Sequence, residues 1–362
     1  MSARTGELRG LWVTAGALDS PAAIERLVRS AASSGFNSLF VQVRARADAY
    51  YASTLEPTVP GTTGDRFDPL ATVLDAARAA GLEVHAWVNV ALASSAVTLP
   101  TDRRHLIWRH PDWLMVPRAL AQELASVEID SPGYVGRLAR WTRSQRDVEG
   151  LYVSPLVPGA VAHVVSVVEE LAGRYPVDGV HLDYVRYPGD EFDYSRAAVA
   201  AFRAAVATAL PSPERARLDA RQAIDPVAYP DALPEQWARF RREQLTALVA
   251  RLAAAVKRQR PRARVTAAVL PDPDDADRRK LQPWRTWAEA GLLDAICPMA
   301  YAPEPDRFAA QLRAARAAAA GRPVWAGIGA WRLEPARAVD HIRLARQAGA
   351  EGIVLFSYDR LA

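Results

Sequence analysis

Eight short runs rich in β-branched and aromatic residues recur along this chain, most of them followed by an alanine-rich stretch of helical period. They are Leu8 to Ala15, Phe36 to Arg44, Leu82 to Val90, Val177 to Val185, Arg264 to Pro271, Leu293 to Tyr301, Pro323 to Trp331 and Gly352 to Asp359. Such alternation points to parallel βα units, because a helix carries the chain back to begin the next strand in the same direction. Three joins share one punctuation: in SSGFNSLF, AAGLEVHAW and QAGAEGIVLF a glycine closes the helix and a strand follows. An open doubly wound sheet also alternates strands and helices, but its fingerprint is a Gly-rich phosphate loop after the first strand. No such loop follows LRGLWVTA. Eight units without it favour closure, an α/β fold of the (β/α)₈ TIM-barrel type.

The 362 residues exceed the roughly 250 of such a barrel, which leaves roughly 110 for loops and no second large core. Residues 1–362 therefore read as one domain. About 86 residues separate the third and fourth runs and about 78 the fourth and fifth. Once the helices Pro158 to Arg174 and Glu235 to Arg258 are set aside, the surplus lies in residues 91–157 and 186–234. Both follow a strand directly, on the face where barrels build active sites. The two insertions are expected to wall a binding cleft; decorative loops are the alternative.

Half of the residues are hydrophobic and 24% charged, a globular composition, and no apolar run reaches the roughly 18 residues that cross a bilayer. The net charge of +4 comes from arginines scattered among Asp and Glu, the pattern of a solvated face. The densest basic cluster, Lys257 to Arg264, closes a helix, where cations favour the macrodipole. No nucleic-acid partner is expected. The start of the chain shows no signal-peptide pattern, so the protein reads as cytoplasmic or as exported with its signal removed. Cys297 stands alone and excludes an internal disulfide; its neighbours Ile296 and Pro298 suggest a buried thiol. Nothing in the sequence speaks to oligomeric state.

Alternate residues of a strand share a face, so VDGVHLDYV turns His181 and Asp183 into the barrel and Val180, Leu182 and Tyr184 toward the helices. Asp178 lies about 16 Å before Asp183 along a strand, which leaves only Asp183 at the catalytic end. A carboxylate there is either the structural partner of an arginine or a nucleophile and electrostatic stabiliser in glycoside hydrolysis. The second reading is favoured, because Arg186 and Tyr187 follow at once and can meet sugar hydroxyls. Arg186 could also hold Asp183 ionised. In LEVHAWVNV the inward set is His85, Trp87 and Asn89, with Asn89 nearest the mouth and His85 deeper, as a core histidine or a proton shuttle. Gln42 and Arg44 share a face of the second strand, with Asp48 in the loop beyond; they could bind substrate or neutralise one another. Trp12, Trp87, Trp325 and Trp331, with Tyr301 and Tyr358, lie in or at the ends of strands, as core or as flat platforms for sugar rings.

Taken in order, these segments resemble the glycosyl-hydrolase-like family 10 of bacterial barrel proteins. The resemblance rests on RGLWVT, FNSLFVQVRARADAYY, FDPLATVLDAARAAGLEVHAWVN, HPDWL, VDGVHLDYVRYP, LLDAICPMAY and GIVLFSYD, and spans nearly the whole chain. It implies a barrel related to the α-amylase type of glycoside hydrolase, acting on a bacterial polysaccharide or a cell-wall glycan, with Asp183 at the family's acidic position on the fourth strand. Many relatives carry two adjacent acidic residues where this chain has Asp183 and Tyr184, and members are commonly exported. The α-amylase type implies a Glu after the fifth strand, where RVTAAVLPDPDDAD offers Asp272, Asp274 and Asp275. Asp272 ranks first as second carboxylate, then Glu304, Asp359 and Asp48.

Rival chemistries are less well supplied. The six histidines form no HxH or HExxH pair, so no metal is expected, and paired carboxylates need no organic cofactor. The two lysines, Lys257 and Lys280, lie off the strands, which argues against a Schiff-base enzyme. A non-catalytic carbohydrate-binding barrel is the remaining alternative.

Overall fold

The computed structural model describes residues 6–59 and 67–361. The termini counted above within one domain, residues 1–5 and 362, lie outside the described residues, as do 60–66. Eight parallel strands form one sheet. In chain order they are Leu8–Val13, Ser38–Arg44, Glu83–Asn89, Gly179–Asp183, Arg264–Val269, Ala295–Pro298, Trp325–Gly329 and Gly352–Phe356. Neighbours in chain order pair from the first strand to the sixth and from the seventh to the eighth, and the eighth returns to the first, as Leu8 opposite Gly352 shows. Bridges from Ile296 to Val324 and from Met299 to Gly327 link the sixth strand to the seventh and bring the ring round. This is the (β/α)₈ barrel expected from the alternation.

Local chemistry sets the joins as read. Gly35, Gly81 and Gly349 have φ of 81°, 71° and 82°, the left-handed conformation that costs other residues a Cβ clash. Ser20 and Asp68 cap the first two long helices, accepting from the backbone N–H of Ala23 and Ala71, and a proline at the first helical positions follows each.

Inside the ring, Leu8, Trp12, Phe40, Trp87, Ala295, Cys297, Trp325 and Val354 pack on one another. His85 stacks on Phe40 with ring centres 4.6 Å apart, and His181 meets the same ring edge-on at 4.9 Å. These histidines are wholly buried. Burial holds the His181 ring neutral by lowering its pKa to about 3. Cys297 is likewise sealed, and burial pushes its thiol up.

One expectation about the second strand fails. Opposite the third strand, Gln42 pairs with Trp87 and Arg44 with Val88, two residues on one side against one on the other. This bulge reverses the alternation. Gln42 stays inside, while Arg44 turns to the helix side, fully buried, where Nη2 meets Glu56 Oε1 at 2.6 Å.

The two insertions have different fates. Residues 91–157 begin with Leu92–Ser94, which pairs antiparallel with Leu151–Tyr152, so the segment's two ends meet directly above the third strand. Residues 186–234 carry the helices Arg196–Val206, Ser212–Gln222 and Ala228–Ala232. These pack with Trp237 around a small core of their own, with Phe202, Leu218 and Tyr229 in it.

Candidate active site

Asp183 ends the fourth strand, and its neighbour Tyr184 has φ of 49°, a left-handed turn that is strained for a side chain of this size. That turn aims the Tyr184 N–H at Asp183 Oδ1, 2.6 Å away. Trp87 donates its indole N–H to Oδ2 at 3.2 Å, and Arg186 Nη1 lies 3.3 Å from Oδ1. Despite these three donors, Asp183 is only 6% exposed, and burial raises its pKa more than Arg186 and the N–H groups lower it.

Above Asp183 opens a cavity of about 260 Å³ whose walls include Trp12, Thr14, Gln42, Arg46, Trp87, Asn89, Arg186, Tyr301 and Phe356. Among the described residues Asp183 is the one carboxylate lining it. Asn89 donates to the Ala45 carbonyl at 2.8 Å, which leaves its buried Oδ1 without a protein partner. Gln42 Oε1 accepts from Ala15 N at 3.3 Å. Phe356 touches Trp12, Trp87, Tyr301 and Trp331 with ring centres 5.3 to 6.1 Å apart, and Trp331 ends this aromatic series 38% exposed.

A second groove of about 530 Å³ adjoins the cavity, with Arg46 in the walls of both. Asp48, Thr58, Ser94, Ser95, Thr98 and Asp102 contribute to it, so residues from the start of the first insertion line this groove. The second insertion gives the cavity only Arg186.

The structure thus brings together Asp183, Gln42, Trp87, Asn89, Arg186 and Tyr301, with Trp331 against Tyr301 and Asp48 in the adjoining groove. Other residues singled out from the sequence stand elsewhere. Tyr187 is fully buried under Arg241, donating to its carbonyl. His181 lies deeper in the barrel, its Nδ1 2.8 Å from Thr266 Oγ1. Tyr358 opens the closing helical turn, packed on the main core. Of the ranked second carboxylates, Asp272 is an exposed helix cap that accepts from the N–H of Asp274 and Asp275. Glu304 is exposed ahead of the helix Pro305–Ala318. Asp359 is exposed at the rim, accepting from Thr14 Oγ1 at 3.0 Å.

Sequence reasoning missed Glu149. Its Oε1 lies 3.4 Å from Arg186 Nη2, so one guanidinium joins it to Asp183. No local pattern marks it; only the pairing of Leu151–Tyr152 above the third strand brings it there.

The profile of glycosyl hydrolase-like 10 matches residues 7–328. The chain belongs to this family. Among relatives of the glycosyl hydrolase-like 10 chain, the glycosyl hydrolase DigH of Escherichia coli (strain K12) is 27% identical over 293 residues, 74% of this chain and 55% of DigH. The glycosyl hydrolase YngK of Bacillus subtilis (strain 168) is 29% identical over 171 residues, 44% of this chain and 27% of YngK. The chain therefore spans about half the length of DigH and less of YngK. Among solved structures, the PgaB (BpsB) glycoside hydrolase domain from Bordetella bronchiseptica superposes with a TM-score of 0.68 at 18% identity, over 98% of this chain and 95% of that one. A β-galactosidase from Bacillus circulans sp. alkalophilus gives 0.65 at 15% identity, over 97% and 50%. These likenesses show the fold, a glycoside-hydrolase-like TIM barrel.

Proposed function

We propose that this barrel hydrolyses glycosidic bonds in a bacterial polysaccharide or cell-wall glycan, with Asp183 as the catalytic carboxylate. The observation that carries the reading is a single desolvated carboxylate at the barrel mouth, set in a cavity furnished for a sugar. Asn89 Oδ1 offers an acceptor, Gln42 an amide, Arg186 a cation, and the Tyr301, Phe356 and Trp331 rings flat apolar faces. Membership of a glycosyl hydrolase-like family supports the same reaction class, and the groove beyond Arg46 gives further sugars of a polymer somewhere to lie.

One observation favours a second reading, a carbohydrate-binding barrel without turnover: no other carboxylate among the described residues lines the cavity, whereas glycosidases commonly use two. A panel of bacterial polysaccharides and cell-wall glycans, incubated with wild type and Asp183→Asn, separates the two. Release of reducing ends by wild type alone supports hydrolysis. Equal binding by both proteins without product supports the binding module.

A further inference from the structure

The guanidinium of Arg186 does not serve Asp183 alone. Nη1 lies 3.3 Å from Asp183 Oδ1 and Nη2 3.4 Å from Glu149 Oε1, so two carboxylates flank one planar cation. Glu149 sits just ahead of Leu151–Tyr152, and Gly150 between them has no room for a side chain against the Ser94 carbonyl. The ribbon thereby fixes where Glu149 stands. Tyr152 donates to Glu149 Oε2 at 2.6 Å, and Lys280 adds a favourable positive field.

With both carboxylates ionised the trio carries one net negative charge; with one protonated it is neutral. Desolvation favours the neutral state. The proton goes to the acid more deeply removed from water. Glu149 has a hydroxyl donor, a nearby lysine and a side chain 38% open to solvent; Asp183 accepts from the Trp87 and Tyr184 N–H groups, but its side chain is only 9% exposed beside the aromatic rings.

We propose that Glu149 is a positioning residue that acts on Asp183 through Arg186: by engaging one edge of the guanidinium, it leaves Asp183 able to carry a proton for the glycosidic leaving group. The proposal rests on Asp183 being the catalytic carboxylate, but its test needs no turnover. In the reaction, Asp183 gives its proton to the glycosidic oxygen as the bond to the anomeric carbon breaks, with the electron pair staying on that oxygen. Water adds to the anomeric carbon and releases a proton, which restores Asp183. The pKa directions agree, since burial raises Asp183, while Arg186 and Tyr152 bring Glu149 below its ordinary value against its own burial. The other titratable groups facing the trio are Tyr152, Tyr184, Tyr301 and Cys297, and burial pushes all four up, so they stay neutral where carboxylates titrate.

The experiment is a ¹³C-carboxyl titration of aspartate-labelled protein, with the Asp183 resonance assigned by its loss in Asp183→Asn. Glu149→Gln is nearly isosteric and is expected to lower the Asp183 midpoint by about one pH unit, as Arg186 turns wholly to Asp183. Glu149→Asp keeps a carboxylate and should retain most of the wild-type midpoint. Arg186→Gln, which removes the shared cation, should raise it. If Glu149→Gln does not fold, Glu149→Ala takes its place with the same expectation. An Asp183 midpoint that stays put or rises when the Glu149 carboxylate is removed overturns the proposal. A shifted midpoint in a protein that cleaves no glycan would refute hydrolysis while leaving the coupling intact.

Discussion

Asp183 is held where its own charge is disfavoured. Because its folded pKa lies above the ordinary carboxylate value, the native state binds this proton more tightly than the unfolded chain does. Stability is therefore lost as pH rises from about 3.9, the unfolded value, through the folded value, and none is lost below both. Asp183→Asn removes that penalty. Its Tm is expected to equal or exceed that of wild type at pH 7, with the advantage vanishing near pH 3, while kcat falls by orders of magnitude and KM changes little. Thermal melts across that range, beside kinetics on the glycan cleaved by wild type, check both halves. A lower Tm at pH 7 would mean that Asp183 is a structural ion-pair partner. At this scale the strand period already told which residues share a face, and so placed Trp87, Asn89 and Asp183 together. It could not show that Tyr187, four residues beyond Asp183, turns into the core beside Arg241, because no periodicity holds once the strand ends.

At the scale of elements, the bulge after Gln42 converts Arg44 from an inward polar residue into a clamp. Its guanidinium pairs with Glu56 and donates to the Asn89 and Val90 carbonyls, tying the segment after the second strand to the end of the third. Burial alone would raise Glu56, but Arg44 and His163 bring it down to about 2. The stability this contributes is present above the unfolded value near 4.3 and is lost as pH falls toward 2. Arg44→Ala leaves the buried Glu56 with His163 as its remaining side-chain partner and is expected to cost about 3–5 kcal/mol in urea unfolding, whereas Arg44→Met with Glu56→Leu should cost clearly less than either change alone. A loss under about 1 kcal/mol for Arg44→Ala would contradict the clamp. The bulge was invisible in the chain, since it is one extra residue in an otherwise regular SLFVQVR. The glycine-ended helices were visible, because a left-handed C-terminal residue leaves a chemical mark that a register shift does not.

Over the whole molecule, the barrel was legible because eight strands and their returning helices repeat one physical motif. The candidate site was legible on the strands and in the few residues just after them, where Trp87, Asn89, Asp183, Arg186 and Tyr301 stand. The carboxylates proposed from the loops, Asp272, Glu304 and Asp359, lie outside the cavity, and Glu149 was missed, because loop residues are positioned by long-range pairing that has no period. The cavity and groove joined at Arg46 carry a prediction at this scale. Arg46 stands in the walls of both, and Arg46→Ala should reduce kcat/KM severalfold on long oligosaccharides and scarcely on the shortest one cleaved; an equal loss at every chain length would contradict a continuous substrate path. The most direct test of the account is a crystal structure of Asp183→Asn with an oligosaccharide of the cleaved glycan. The account predicts a glycosidic oxygen within about 3 Å of the side chain at position 183, a sugar hydroxyl on Asn89 and the chain continuing past Arg46. A glycan bound away from the barrel mouth, with the cavity above position 183 empty of sugar, would contradict it.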